Sequence, residues 1–427
     1  MLPAHHLATV LFLVLAHLVQ IATCQIKGVN LGGWLLSEPW ITPSLYDNVS
    51  AEDEWHLCDE LGKDSCSQLL RTHWKSFLNQ SDFQAIQSAG LNAVRIPIGY
   101  WAVDLEDWEP YVDGQFDYLA RAVRWADEAG LDVIVSLHGL PGSQNGQENS
   151  GLAGEILFAS NSSNFERSLR VLTNLSAEFS QDVYGGAVKS IELANEPRIG
   201  SSLPFDDLLE YYQRGSDAVR AEDPSSSINI TIHDAFQPLT SWEAHTSTAN
   251  ITRLPTTSLT LDTHQYYAFY PHGNLSESAI LDSVCAVSKQ LKEKSSKSKL
   301  PPVLVGEWSL AQNSSMLPEN YASNGTEYTS WLRLFFEAQH AAYSPNGPHQ
   351  ASTGWIFWTW RTENDVAMWS YRQGLAEGYI PANVSDSSLL KYKVDKHGCV
   401  KSLAGRAASV SKVLVVVGFV AAVFTYS

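Results

Sequence analysis

Eight short apolar runs recur along the chain, each ended by Gly, Pro or a polar or aromatic cluster. They span Ile26 to Leu31, Ala93 to Ile98, Asp132 to Leu137, Ser190 to Ala194, Ile228 to His233, Leu259 to His264, Val303 to Gly306 and Gly354 to Thr359. Runs of this length, rich in Val, Ile and Leu, read as strands buried in a parallel sheet. Between them lie amphipathic segments. Phe116 to Ala129 sets Phe116, Leu119, Ala120, Val123 and Ala126 on one helical face, and Phe165 to Phe179 has the same period. Eight strand–helix repeats predict an α/β fold, a (β/α)8 TIM barrel with loop insertions. A doubly wound open sheet competes, but Gly28-Val29-Asn30-Leu31-Gly32-Gly33 does not open a helix as a phosphate loop must.

The residues that close these runs are polar and chemically capable. Arg95 follows Ala93-Val94, His138 follows Val135-Ser136-Leu137, and Asn195-Glu196 follows Ile191-Glu192-Leu193-Ala194. His264 and Tyr266 follow Leu261-Asp262-Thr263, and Glu307 follows Val303-Leu304-Val305-Gly306. In a barrel of this type the C-terminal ends of the strands form the reactive face. Two carboxylates converging there are the equipment of glycosidic hydrolysis, in which one protonates the departing oxygen while the other attacks carbon or activates water. Either glutamate alone reads as an ordinary loop acid; the like positions of Arg95, His138, Glu196, His264, Tyr266 and Glu307 change that.

Composition narrows the partners. A formal charge of -18 argues against nucleic acid or anionic lipid surfaces, which require clustered Lys and Arg. A neutral polymer is compatible, and the 14 Trp and 17 Tyr offer flat rings for sugar faces as well as for packing. No Pro/Gly/Ser linker divides the chain, so 25–400 reads as a single catalytic domain, with a monomer as the default state. No CxxC or HExxH spacing occurs, so neither a metal nor an organic cofactor is expected.

The ends read as addresses. Residues 1–24 hold an apolar segment, Leu7 to Ile21, before Ala22-Thr23-Cys24, the pattern of a signal peptide; an uncleaved membrane anchor competes. Residues 401–427 carry small residues, a spacer and an apolar tail from Val413 to Phe424, the order of a glycosylphosphatidylinositol attachment signal. The tail is shorter than the ~20 residues of a spanning helix, although a single-pass helix or an unmodified tail remains an alternative. Ser402, Ala404 and Gly405 are all candidate attachment residues. Ten Asn-x-Ser/Thr sequons, at Asn48, Asn79, Asn161, Asn174, Asn229, Asn250, Asn274, Asn313, Asn324 and Asn383, agree with secretion to the cell surface or wall. With Cys24 removed, Cys58, Cys66, Cys285 and Cys399 remain. These allow three pairings, and locality favours Cys58 with Cys66, leaving Cys285 with Cys399.

Taken together, Gly28-Val29-Asn30-Leu31-Gly32-Gly33-Trp34, Glu38-Pro39, His138-Gly139, Gly142-Ser143-Gln144-Asn145-Gly146, Asn195-Glu196-Pro197, His264-Gln265-Tyr266, Gly306-Glu307-Trp308 and Phe357-Trp358-Thr359-Trp360 closely resemble fungal exo-β-1,3-glucanases of glycoside hydrolase family 5. The resemblance covers about Gln25 to Cys399. It implies that Glu196 is the general acid/base and Glu307 the nucleophile of a retaining double displacement that releases β-glucose from β-1,3-glucan. Asn195 would bond the sugar 2-OH. Arg95 and Tyr266 would donate to Glu307 and keep it ionised, while Glu196 stays protonated until used. His138 and His264 would bind sugar hydroxyls or brace the carboxylates; simple buried histidines are the competing reading.

The resemblance further implies that Glu38 holds the terminal glucose and enforces exo action, that Trp358 stacks beneath the reacting sugar, and that Asn149 makes a polar contact. Phe236 and Phe269 match ring positions at the family's entrance. One departure matters: the position that pairs with Phe269 in the family's two-phenylalanine clamp is Gln147. The resulting expectation is a β-1,3-glucan exo-hydrolase of cell wall turnover. Transfer to a sugar acceptor, or action on β-1,6-linked or other β-glucosides, is the alternative, and a non-catalytic glucan-binding wall glycoprotein ranks last because both carboxylates are present.

Overall fold

The computed structural model describes residues 25–247, 259–269, 271–292, 300–312, 325–347, 350–395 and 397–400. The leader and the anchor signal expected from the sequence lie outside the described residues, as do the sequons at Asn250, Asn313 and Asn324. All eight apolar runs form parallel strands: β1 (Ile26–Asn30), β2 (Ala93–Gly99), β3 (Asp132–Gly139), β4 (Val188–Glu192), β5 (Asn229–His233), β6 (Leu259–Tyr267), β7 (Val303–Gln312) and β8 (Ser352–Phe357). Each pairs with the next, and β8 pairs back with β1, closing the predicted barrel.

The helices follow their sequence signals. On α4 (Gln115–Ala129), Leu119, Ala122, Val123 and Ala126 are buried against the barrel, and Gly130, left-handed at φ 69°, ends the helix. The α5 helix (Ser162–Phe179) begins where the Asn161 side chain accepts a hydrogen bond from the Ser163 backbone N–H. Before them stand α1 (Glu54–Leu61), α2 (Lys63–Ser76) and α3 (Gln80–Ser88). After them come α6 (Phe205–Glu222), α7 (Leu239–Ser247), α8 (Glu277–Leu291), α9 (Thr326–Tyr343) and α10 (Tyr371–Glu377). The disulfides join Cys58 to Cys66 across the α1–α2 turn and Cys285 on α8 to Cys399, with Cα atoms 5.1 and 5.0 Å apart; this is the pairing locality favours.

Two strand boundaries depart from expectation and matter for chemistry. Strand β7 continues through Glu307 to Gln312, because β6 and β7 run on together after a register shift at Thr263/His264 that sets His264 opposite Glu307. Strand β4 stops at Glu192, so Asn195 and Glu196 stand on the loop beyond it, with Glu196 in the left-handed region at φ 47°. A non-glycine residue there costs free energy that the surrounding contacts must offset.

Inside the barrel, Ile134, Leu304 and Ile356 with Ile26 form a small apolar plug. Barrel interiors are filled by layers drawn from alternate strands, usually of branched apolar residues. Here the even strands β2, β4 and β6 contribute Arg95, Glu192 and Asp262, all fully buried, so this layer is charged.

Candidate active site

Arg95 is the hub of the charged layer. Its Nε donates to Glu192 Oε2 at 2.8 Å, and Nη1 donates to Asn30 Oδ1 at 2.9 Å and Glu307 Oε1 at 2.7 Å. Nη2 donates to Asn195 Oδ1 at 2.7 Å. Asp262 Oδ2 lies 3.9 Å from Nε, while Asp262 Oδ1 accepts the Gly306 N–H at 2.7 Å. A side chain at Gly306 would put its Cβ 2.0 Å from Asp262 Oδ2, so glycine is what lets the strand carrying Glu307 close onto this layer. One planar, five-donor cation thus orients a carboxylate on β7 and an amide after β4 at once.

The two candidate carboxylates meet over His264. Its Nδ1 is 2.6 Å from Glu196 Oε1 and 3.4 Å from Glu307 Oε2, which brings those oxygens within about 6 Å of each other. Glu196 Oε2 accepts from Asn149 Nδ2 at 3.0 Å, and Glu307 Oε2 accepts from the Tyr266 hydroxyl at 2.8 Å. A separation this short suits attack by one carboxylate and proton delivery by the other; water-activating pairs stand about 6.5–9.5 Å apart.

The protonation order differs from the sequence expectation. Burial works against a charge on His264, but Glu307, Asp262 and Glu196 outweigh it and hold the imidazolium well above the usual histidine range. Burial likewise raises Glu196, yet the hydrogen bond and charge of His264, with Asn149, bring it below the ordinary carboxylate value. For Glu307 burial prevails over His264 and Arg95, so its pKa lies above the ordinary value rather than below it. The proton between Glu196 and His264 is therefore held on the imidazole side of the pair, while burial makes Glu307 the harder of the two carboxyls to ionise.

Around these carboxylates are buried polar atoms with no protein partner, including Glu38 Oε1, His138 Nε2 and Asn195 Nδ2. Each such atom costs about 1–3 kcal/mol unless something bonds it, so the chamber is prepared for a ligand bearing several hydroxyls. Burial and Arg95 hold His138 neutral, and Ser136 Oγ lies 3.2 Å from its Nδ1, which leaves Nε2 without a protein partner. Burial and the neighbouring charges of Glu148 and Glu307 keep Glu38 well above the usual carboxylate range; Trp40 Nε1 donates to its Oε2 at 3.1 Å. The Trp358 ring stacks on His138 at 5.6 Å and 10°, and a Cβ on Gly32 would strike that indole at 2.7 Å. This is why the first-strand motif carries glycine at that position.

The mouth is aromatic. Phe236 and Phe269 are 57% and 58% exposed, and Gln147 is exposed. The Phe269 ring is 5.8 Å from Tyr266, which neighbours Trp369 at 5.6 Å; Trp369 in turn meets Trp40 at 4.8 Å.

Comparison with known proteins agrees with this geometry. The family described as Cellulase (glycosyl hydrolase family 5) matches residues 58–364. The chain belongs to glycoside hydrolase family 5. It is 38% identical over 393 residues to the probable glucan 1,3-beta-glucosidase A of Aspergillus niger, covering 84% of this chain and 88% of that protein. It is 33% identical to the glucan 1,3-beta-glucosidase of Pichia angusta, covering 86% and 88%. Among solved structures it resembles the rutinosidase from Aspergillus niger, with TM-score 0.68, 25% identity and coverage of 83% and 98%. A family 5 xyloglucanase from Paenibacillus pabuli shares the fold, with TM-score 0.52 and 15% identity. The protein is therefore a glycoside hydrolase, and family 5 hydrolysis proceeds with retention.

Within this family 5 site the structure brings together Glu38, Arg95, His138, Asn149, Asn195, Glu196, His264, Tyr266, Glu307 and Trp358, with Phe236 and Phe269 at the rim. Sequence reasoning missed Asn30, Glu192, Asp262, Glu148, His233 and Trp369. Glu192 and Asp262 lay in the quoted strand runs, where a charged residue inside an apolar stretch is the available signal. His233 Nδ1 accepts the Ala235 N–H at 3.0 Å and its ring meets His264 at 4.4 Å; it anchors a turn in which Ala235 and Phe236 are both left-handed, at φ 52° and 58°. Glu196, His233 and His264, and likewise Glu192, Asp262 and His264, cluster closely enough to hold a cation. Donors from Arg95 and the His264 imidazolium already engage these carboxylates, which is an ion-pair arrangement.

Proposed function

We propose that this enzyme is an exo-acting glucan 1,3-β-glucosidase in which Glu307 is the nucleophile and Glu196 the acid/base. In the first step a Glu307 oxygen bonds C1 of the terminal glucose as the C1–O bond breaks, and the proton held by the Glu196–His264 pair passes to the departing oxygen. In the second, water attacks C1, its proton goes to Glu196, and the Glu307–C1 bond breaks, releasing β-glucose. The observation that carries this reading is the contact of one imidazolium with both carboxylates at 2.6 and 3.4 Å. Asn195 Nδ2 is the free donor for the sugar 2-OH, and Glu38 and His138 supply partners for further hydroxyls. The names of the Aspergillus and Pichia relatives support β-1,3-glucan as substrate.

The alternative acceptor or aglycone reading rests on Gln147, which leaves the mouth with one ring of a clamp, and on the likeness to a rutinosidase. Two disulfides fit an oxidising compartment and agree with a secreted or wall protein; attachment by a glycosylphosphatidylinositol anchor and action as a monomer complete the proposal. The decisive experiment follows products from linear β-1,3-glucan by proton NMR. Single β-glucose units from the wild type and none from Glu307→Gln are expected. Mixed oligosaccharides would overturn the exo assignment, and turnover by Glu307→Gln would overturn the nucleophile.

A further inference from the structure

We propose that Trp108 and Trp55 form a second binding site for the glucan chain, on the rim of the barrel beside the catalytic mouth. This rests on the reading that the substrate is a neutral β-glucan. Trp108 lies on the loop between β2 and α4 and is 67% exposed, the highest exposure among the large apolar side chains of the described residues. An isolated exposed apolar residue is ordinary in itself; what sets this one apart is its support. Its ring sits 5.8 Å from Trp55, which packs edge-on against Tyr111 at 5.1 Å, and Tyr111 stacks flat on the buried Trp101 at 3.9 Å. Trp108 Nε1 also donates to the Glu106 carboxylate. A column of four aromatic rings therefore runs from the protein interior to solvent and presents its last indole in a fixed orientation.

The column is continuous with the mouth. The Gly151 carbonyl accepts both the Trp55 backbone N–H at 3.0 Å and the Tyr111 hydroxyl at 2.8 Å. Gly151 is two residues from Asn149, whose side chain bonds Glu196, and four from Gln147 at the entrance. The Gly151 carbonyl thereby ties this ledge to the loop that carries Gln147 and Asn149.

Chemistry selects the occupant. A flat indole matches the C–H face of a β-glucose unit. On this loop Asp104 and Glu109 are paired with Arg167, while the exposed Glu106 and Asp107 stand beside the indole, so a phosphate- or sulfate-bearing chain is disfavoured there and a neutral one is not. A protein partner would need an apolar patch of some hundreds of Å², and the exposed residues just before Trp108 in sequence, Glu106 and Asp107, are acids.

The test compares the full chain with Trp108→Ala and Trp108→Tyr in three measurements: retention on insoluble β-1,3-glucan particles, kcat/KM on long soluble β-1,3-glucan, and kcat/KM on an aryl β-glucoside. For Trp108→Ala, retention and kcat/KM on the long glucan should fall about fivefold, with the aryl glucoside unaffected and Trp108→Tyr recovering most of the loss. Equal retention of wild type and Trp108→Ala overturns the proposal, as does an equal loss on the aryl glucoside, which would mark a structural defect. Unchanged retention with a change in sedimentation would overturn it in favour of contact between copies. If the wild type cleaves the aryl glucoside but neither binds nor cleaves β-1,3-glucan, the substrate reading itself fails, an outcome separate from equal retention by a glucan-cleaving pair.

Discussion

His264 Nδ1 lies 2.6 Å from Glu196 Oε1, and the same nitrogen is 3.4 Å from Glu307 Oε2, so the two carboxylates share one imidazolium. In the proposed mechanism that sharing couples the two groups. A proton withdrawn from Glu196 as the leaving group departs is replenished from its histidine neighbour, while the same positive charge favours the ionised nucleophile.

The first prediction concerns pH. In the proposed mechanism only ionised Glu307 attacks, and burial raises it above the ordinary value of 4.5. The acid limb of kcat/KM should therefore fall above 4.5, with activity lost as pH drops through it. His264→Gln removes a charge that lowers Glu307, so the limb should move to higher pH. A pH–rate profile on an aryl β-glucoside measures both; an unmoved limb would show that His264 does not act on Glu307.

Arg95 separates stability from catalysis. Arg95→Met leaves Glu192 and Asp262 buried without their cation, a loss of about 3–5 kcal/mol, and Glu192→Gln added to it should restore part of that stability. Arg95→Lys keeps the charge but cannot reach Glu192, Asn30, Glu307 and Asn195 together, so kcat should drop about a hundredfold while the melting temperature changes less. Thermal unfolding beside kcat for these variants decides it.

Much of this was legible in the sequence for identifiable reasons. Buried parallel strands need uninterrupted apolar runs, which is why all eight could be counted, and the polar residues ending them mark the face where chemistry is exposed. The Arg95, Glu192 and Asp262 layer was not legible, because β2, β4 and β6 are not adjacent and only barrel closure brings their inward side chains together. Glu307 lies inside β7 rather than after it because of the register shift at His264, which no local pattern encodes. The reversed protonation order had the same origin: burial depends on the whole site, whereas sequence suggests only the partners.

Acid should weaken the fold through His73. Its Nε2 bonds the Gly33 carbonyl at 2.8 Å, and burial lowers its pKa from 6.5 to about 4. Because the folded pKa is depressed, this stability is present above pH 6.5 and is lost as pH falls toward 4, where the unfolded chain binds the proton and the folded chain resists it. Between pH 7 and 4.5 the loss from this residue is about 2 kcal/mol. His73→Gln should be less stable at pH 7 yet show a correspondingly smaller decline on acidification. Urea unfolding at the two pH values measures the difference, and parallel declines would contradict the assignment.

Gln147 tests how the mouth handles the acceptor. Phe269 is 58% exposed, with its ring 5.8 Å from Tyr266 and 6.5 Å from Trp369, so the mouth offers a sugar an aromatic surface there. Gln147 is held by its backbone, with its N–H donating to Asn145 Oδ1 at 2.9 Å and its carbonyl accepting from Ser150 Oγ at 2.8 Å, so replacing the side chain leaves the loop anchored. Gln147→Phe should supply a second ring, worth about 0.5–1.5 kcal/mol, and lower KM for laminari-oligosaccharides about fivefold. An aryl glucoside, whose reactive sugar sits below the mouth, should change less. Because the ring also holds the acceptor while the glucosyl-enzyme awaits attack, the ratio of transfer products to free glucose should rise at high oligosaccharide concentration. If KM and this ratio both stay put, Gln147 does not face the acceptor, and the breadth of substrates inferred from it loses its support.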